Sequence, residues 1–174
     1  MVELVTQALI LSLPLVLSGG FHMAAVKLDL LPALKIPIHH AWFGRNKTWR
    51  GLLVMPATAA LGVVLAAAVW PEQFGGWNPV VLGVLLGLAY ALAELPNSFV
   101  KRRLGIDAGK RPPRHAAWFA LADQADSAIG CGLVYAWALG LTAGPILLLM
   151  AIGTSIHLIV NYSLYLMRLR REPL

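Results

Sequence analysis

Residues 127–167 run SAIGCGLVYAWALGLTAGPILLLMAIGTSIHLIVNYSLYLM, 41 positions without an Asp, Glu, Lys or Arg. A helix needs about 20 apolar residues to cross the hydrocarbon of a bilayer. This run is two spans long, and Thr142-Ala143-Gly144-Pro145 divides it, because Gly and Pro interrupt helices. Three further uncharged runs cover 4–26, 51–71 and 73–93. The spacing predicts five transmembrane helices, near 4–25, 52–70, 77–95, 123–141 and 145–167, in one all-α integral membrane domain spanning 1–174. Gly and Ala are frequent within the runs, which suits close helix packing in lipid.

Composition agrees. Hydrophobic residues make up 59% of the chain and charged residues 13%, about half the charged share of a soluble domain. That excludes a soluble enzyme, a disordered tail and a nucleic-acid-binding module, in spite of a net charge of +6. Cys131 is the sole cysteine, so neither a disulfide framework nor a zinc-cysteine site exists. The first apolar segment is preceded by Met-Val-Glu, with no Lys or Arg, unlike the start of a signal peptide. It is therefore expected to stay as a membrane helix.

The basic residues orient the chain. All fourteen lie in three places: the loop carrying Lys27, Lys35, Arg45, Lys47 and Arg50; the loop carrying Lys101, Arg102, Arg103, Lys110, Arg111 and Arg114; and the tail with Arg168, Arg170 and Arg171. The positive-inside rule puts these in the cytoplasm, with the N-terminus outside and the C-terminus inside. This orientation accounts for most of the positive charge.

The two basic loops also gather the unusual polar residues. In FGRNKTWRG, 43–51, Lys47 and Arg50 can neutralise phosphate oxygens while Asn46 and Thr48 supply hydrogen bonds. A flank that merely orients the helix, with Trp49 at the interface, explains the same residues. Glu94 closes an uncharged run, Asn97, Ser98, Lys101 and Arg102 follow, and Pro96 is expected to end or kink the third helix. Asp123 and Asp126 are three apart, on one helical face. Residues 127–141 are too few to span, so this helix must begin earlier and carry both carboxylates to the membrane edge. Such a pair suits Mg²⁺, which takes carboxylate and phosphate oxygens. A helix start whose dipole favours acids suits it equally. His157 and Asn161, one turn apart, are most simply hydrogen-bonding glue between helices. His22, His39, His40 and His115 show no metal-ligand spacing.

Taken together, ELPNSFVKRRLGI at 94–106, DQADSAIG at 123–130 and KTWRG at 47–51 resemble the signature of the membrane cytidylyltransferases, the group containing CDP-diacylglycerol synthase. LPLVLSGG at 13–20, PIHHAWFGRNKTWRG at 37–51 and the C-terminal HLIVNYSLYLMRLRREP are similar to the short five-helix CDP-archaeol synthase branch. The resemblance covers residues 13–173. It implies that CTP and a lipid phosphate in the bilayer give a CDP-lipid and pyrophosphate. It also implies roles: Asp123, Asp126 and Glu94 for Mg²⁺, Lys101 and Arg102 as phosphate clamps, and Lys47, Thr48 and Arg50 at the triphosphate or cytidine. Asn46 joins them in the substrate loop, and Asn97 and Ser98 orient a phosphate. His39 and Arg45 stand where the family pattern has acids, and 105–118 lacks the Gly-His-Gly-Gly-like run of larger synthases. A divergent relative using another lipid phosphate, or a non-enzymatic transporter or scaffold, would share the bundle. A transporter would place polar groups near the bilayer midplane, whereas here they cluster at the cytoplasmic edge.

Overall fold

The computed structural model describes residues 2–110 and 116–166. Arg111, Arg114 and His115 of the second basic loop, and the tail arginines Arg168, Arg170 and Arg171, lie outside the described residues. Six helices account for most of the described chain: α1 (Val2–Lys27), a one-turn α2 (His40–Phe43), α3 (Trp49–Val69), α4 (Pro79–Arg103), α5 (Ala116–Leu139) and α6 (Ala143–Leu166). Among the described residues there is no β-strand, only an isolated bridge between Pro37 and Thr48.

Among the described residues four helices are long and apolar enough to cross a membrane: α1, α3, α4 and α6. The fifth expected span, α5, is as long as α6, but Asp123, Gln124 and Asp126 in its first half lower its apolarity. Their outer faces carry large apolar side chains open to the surroundings, among them Leu13, Leu61, Leu65, Leu133, Trp137 and Leu147. In a bilayer these meet lipid tails.

Two boundaries differ from expectation. Pro96 neither ends α4 nor marks its last turn: the helix continues to Arg103. The ring lies on an exposed side of the helix, and membrane helices tolerate such a missing donor because neighbouring groups re-satisfy the backbone. The α5–α6 division falls at Gly140–Thr142 rather than at Thr142–Pro145. Gly140 takes φ +62 directly after α5, the left-handed conformation that commonly closes a helix. Pro145 sits inside the first turn of α6, where the donor it lacks has no helical acceptor.

Small residues set the packing distances. A Cβ added at Gly83 would land on the backbone of Ala60, and one at Gly87 on the backbone of Pro56. One turn apart on α4, the two glycines form a seam along which α3 and α4 touch backbone to backbone. Gly62 likewise meets Pro14 of α1, and Gly130 of α5 meets the Ala89 carbonyl of α4. Two buried hydroxyls tie α1 to its neighbours: Tyr135 donates to the Leu11 carbonyl at 2.9 Å, and Ser18 to the Met55 carbonyl at 3.0 Å.

The bundle has two unlike ends. At one, the turn Pro71–Phe74 and Gly75 pack beside Leu139, and the Trp77 indole donates to the Ala138 carbonyl at 2.8 Å. At the other, the connection between α1 and α3 folds over the C-terminal half of α4. Trp42 of α2 meets Phe99 of α4 edge-on, with ring centroids 6.0 Å apart.

Candidate functional site

On α4, Tyr90, Glu94, Asn97, Ser98 and Lys101 recur at intervals of three and four and so share one helical face. All five are partly buried. Opposite them, α5 presents Asp123 and Asp126. The helix starts by Ala116, so both aspartates lie well past its first turn. A dipole-favoured helix start therefore does not explain them. The Asn97 side-chain amide donates to Asp123 Oδ1 at 2.7 Å and lies 3.3 Å from Asp126 Oδ2. The Lys101 ammonium bonds both oxygens of Asp123. Asp126 Oδ1 accepts from the Ser127 backbone at 2.7 Å. Two carboxylates thus converge on one donor nitrogen, held by one amide and one cation.

A second group lies beside the first. Lys47 is ion-paired with Glu94, and both line an open cleft, together with His22, Asn46, Thr48 and Tyr90. Thr48 is the residue before α3 but makes no capping bond with its hydroxyl, so that hydroxyl remains for the cleft. The loop reaches this position because the Ile38 amide donates to the Lys47 carbonyl at 2.9 Å and the Trp49 amide to the Ile36 carbonyl at 3.0 Å.

His39 caps α2: its Nδ1 accepts from the Trp42 amide at 3.2 Å. A side-chain acceptor is what a helix start requires, so His39 performs locally what an acid there would do.

Arg102 has buried Nε and Nη1 without a hydrogen-bond partner among the described residues, and Gly44 stands against it. A guanidinium left unpaired in this way is costly, and its planar fork fits a carboxylate or a phosphate. Arg50 behaves differently. It is 3% exposed and donates from Nη1 to Asp29 at 2.9 Å and to the Leu30 carbonyl at 3.1 Å. Lys35 and Arg50 together hold the Asp29 carboxyl below its ordinary range. Arg50 therefore anchors the turn after α1, where Asp29 and Leu31 take left-handed φ of 48° and 52°. The structure does not bring it into the cleft with Lys47.

The donor set suits a hard divalent cation. Asp123 and Asp126 offer oxygens converging on one point, which matches Mg²⁺ held by one or two carboxylates plus substrate phosphates. Glu94 lies at the neighbouring cleft with Lys47. Among the described residues no three acidic, histidine or cysteine side chains close on one point.

The deep polar residues pair with each other. The Tyr90 hydroxyl and His157 Nε2 are 2.8 Å apart, and the Asn161 amide donates to Gln124 Oε1. The expected glue role of His157 and Asn161 is what the structure shows. Tyr90 escaped the sequence reading, and His22 was noted only as lacking metal-ligand spacing. Tyr90 had a usable signal, since it lies one turn before Glu94 on the same face of α4. Its pairing with His157 had none, because that depends on which face α6 turns to α4.

Fold and site together define a multi-pass membrane protein with acids and bases clustered where its polar loops meet the bundle. A family model described as CarS-like: CDP-archaeol synthase matches residues 39–173. The chain belongs to the CDP-archaeol synthase family. It is 30% identical over 177 positions to the CDP-archaeol synthase of Aeropyrum pernix, covering 99% of this chain and 94% of that one. Against the CDP-archaeol synthase of Methanoregula boonei it is 31% identical, over 75% of this chain and 79% of the relative. A phosphatidate cytidylyltransferase of Brucella abortus is 37% identical over 98 residues, 56% of this chain and 33% of that one. No solved structure gives a significant match.

Proposed function

We propose that the protein transfers a cytidylyl group from CTP to a lipid phosphate, giving a CDP-lipid and pyrophosphate, with archaeol phosphate as the lipid. The observation that carries this reading is the convergence of Asp123 and Asp126 beside a cleft lined by Lys47, Asn46 and Thr48. An oxygen of the lipid phosphate attacks the α-phosphorus of CTP. The bond from that phosphorus to the oxygen bridging the β-phosphate breaks, and pyrophosphate leaves with the bond's electrons. Such a displacement between anions needs positioning and charge neutralisation more than covalent chemistry.

Asp123 and Asp126 would hold Mg²⁺; Glu94, expected as a third ligand, is instead paired with Lys47 in the neighbouring cleft. When bound, the ion supplies neutralisation of phosphate charge. Lys101 and Arg102 take phosphate oxygens, and Asn97 and Ser98 orient them. Asn46, Lys47 and Thr48 receive the nucleotide, and Arg50 keeps their loop in place through Asp29. Pairing of His157 and Asn161 within the bundle leaves little for a transport path and favours an enzyme over a transporter.

In this reading α5 is the fifth span, the N-terminus is outside, and the site faces the cytoplasm of the cell membrane. The gathering of Lys47, Lys101 and Arg102 at one end of the bundle supports that orientation, as does the lack of basic residues in Pro71–Asn78 and Gly140–Thr142 at the other. The deciding experiment incubates purified protein with labelled CTP, Mg²⁺ and a panel of lipid phosphates. A labelled CDP-lipid is expected. No product with any lipid would refute the reading.

A further inference from the structure

The chain has six tryptophans, and all six lie at the two ends of the bundle. Trp70, Trp77 and Trp137 gather at the end of the Pro71–Phe74 turn, where the rings of Trp77 and Trp137 are 5.0 Å apart. Trp42, Trp49 and Trp118 stand at the other end, on α2, at the start of α3 and in the first turn of α5. Tryptophan concentrates at the two faces of a bilayer, because its ring is apolar and its N–H is not. The spacing between the two sets matches a bilayer. From Trp49 to Trp70, the residue after α3, is about 31 Å, and from Trp118 to Trp137 along α5 about 28 Å. The hydrocarbon core is about 30 Å thick. Trp118 and Trp137 are 72% and 67% exposed, so α5 meets its surroundings with a tryptophan at both levels.

These levels locate the connection between α1 and α3. Trp42 and Trp49 bracket its second half, which therefore lies among the lipid headgroups. Its first half leaves Leu28, Leu30, Leu31 and Ile36 between 49% and 70% exposed. Four open aliphatic side chains within nine residues are a poor surface for water. The stretch follows directly on Phe21, Met23 and Val26 of α1, which are also exposed, so apolar surface runs from the helix on into the loop. Nor is the loop loose. Buried Arg50 bonds Asp29 and the Leu30 carbonyl, and the Ile36 carbonyl accepts from the Trp49 amide. Lys27 is exposed where helix and loop meet; its stem can lie on apolar surface with the ammonium at a lipid phosphate.

We propose that the α1–α3 connection is a membrane-lying element whose Leu28, Leu30, Leu31 and Ile36 enter the headgroup–acyl boundary of the leaflet, beside Trp42 and Trp49. The partner of this surface is lipid, not a second protein chain. The cleft of Asn46, Lys47 and Thr48, between Trp42 and Trp49, then opens in the plane of the lipid phosphates, and Asp123 and Asp126 lie about 8 and 12 Å deeper than Trp118 along α5. None of this depends on the reaction that the site performs.

The test uses the full chain in vesicles of phosphatidylcholine and phosphatidylglycerol. Leu30→Cys, Ile36→Cys, Leu61→Cys and Lys110→Cys, each in a Cys131→Ser background, carry a polarity-sensitive fluorophore. Leu61 is exposed midway along α3 and Lys110 in the loop after α4. The quenchers are lipids spin-labelled near the headgroup or deep in the tail, and iodide on both sides of the membrane. At Leu30 and Ile36 emission should be blue-shifted from that at Lys110 and quenched at least about twofold more by the shallow label than by the deep one. The order should reverse at Leu61, and iodide should quench Lys110 best. Tryptophan emission of the wild type needs no substitution and should also favour the shallow label by about twofold. Iodide quenching at Leu30 and Ile36 equal to that at Lys110 would overturn the proposal and return the connection to water. Blue-shifted emission there that neither lipid quenches would overturn it in favour of a second copy of the chain. Wild-type tryptophan quenched more by the deep label would remove the two levels and the proposal with them.

Discussion

Lys101 of α4 closes its ammonium on both carboxylate oxygens of Asp123 of α5. The chain pairs its own opposite charges across two helices at the point where a phosphate and a cation are expected to enter. Lys101→Ala should then remove a phosphate partner and loosen Asp123 at once. A charge-assisted hydrogen bond contributes about 1.5–3 kcal/mol, so kcat/KM should fall by at least about tenfold. Lys110 supplies the contrast: it is 72% exposed on its side chain and pairs with Asp107. Lys110→Ala should change kcat/KM by less than about twofold. Equal losses in the two variants would reduce the basic loops to orientation signals.

Asp126→Asn should abolish nearly all turnover while the protein still inserts and folds. Asn keeps the shape and can still accept from the Ser127 amide, but it removes the charge that a hard cation requires. Turnover and a thermal melt of the same preparation check this. Near-normal rates in both Asp123→Asn and Asp126→Asn would eliminate the two-carboxylate site.

The glycine seam predicts a stability effect remote from chemistry. Gly87→Leu should lower the midpoint of thermal unfolding in detergent, because the new side chain starts inside the Pro56 backbone and overpacking costs about 1–3 kcal/mol or more. Gly20→Ala on α1 meets nothing within 4 Å. It should be neutral or slightly stabilising, as removal of a helical glycine is. A melt of Gly87→Leu matching wild type would contradict the backbone contact between α3 and α4.

Orientation is checked with single cysteines in a Cys131→Ser background. A cysteine replacing exposed Glu72 should react with an impermeant thiol reagent from outside, whereas one replacing exposed Lys110 should react only after the membrane is opened. The opposite pattern would invert the orientation and part the site from cytoplasmic CTP.

The helices were legible because lipid tolerates few charges, so uncharged runs of about 20 residues carry the spans without reference to packing. Their ends were less so. Pro96 was expected to end or kink its helix, yet whether the helix runs on depends on whether its missing donor and ring face an open side, which the neighbours of α4 decide. The acids and bases of the site were legible from motif and spacing. Their partners were not: Asn97 between two aspartates, and Arg50 turned to Asp29 rather than to the cleft, depend on the rotation of each helix about its axis. His39 shows the same limit, since a histidine doing the work of an acid at a helix start is visible only from the Trp42 amide.

One consequence follows from α4 carrying both Gly83 and Gly87 at the seam and Glu94, Asn97 and Lys101 at the site. The angular phase between glue and chemistry is fixed by the count of residues between them. One residue inserted between Gly87 and Tyr90 would turn the chemical face by about 100° while the seam stayed bound to α3. Seven would bring the face back but lift it by about 10 Å, away from Asp123 and Asp126. Within this stretch, therefore, substitutions are tolerated one side chain at a time, whereas a change of length detaches every reactive group at once.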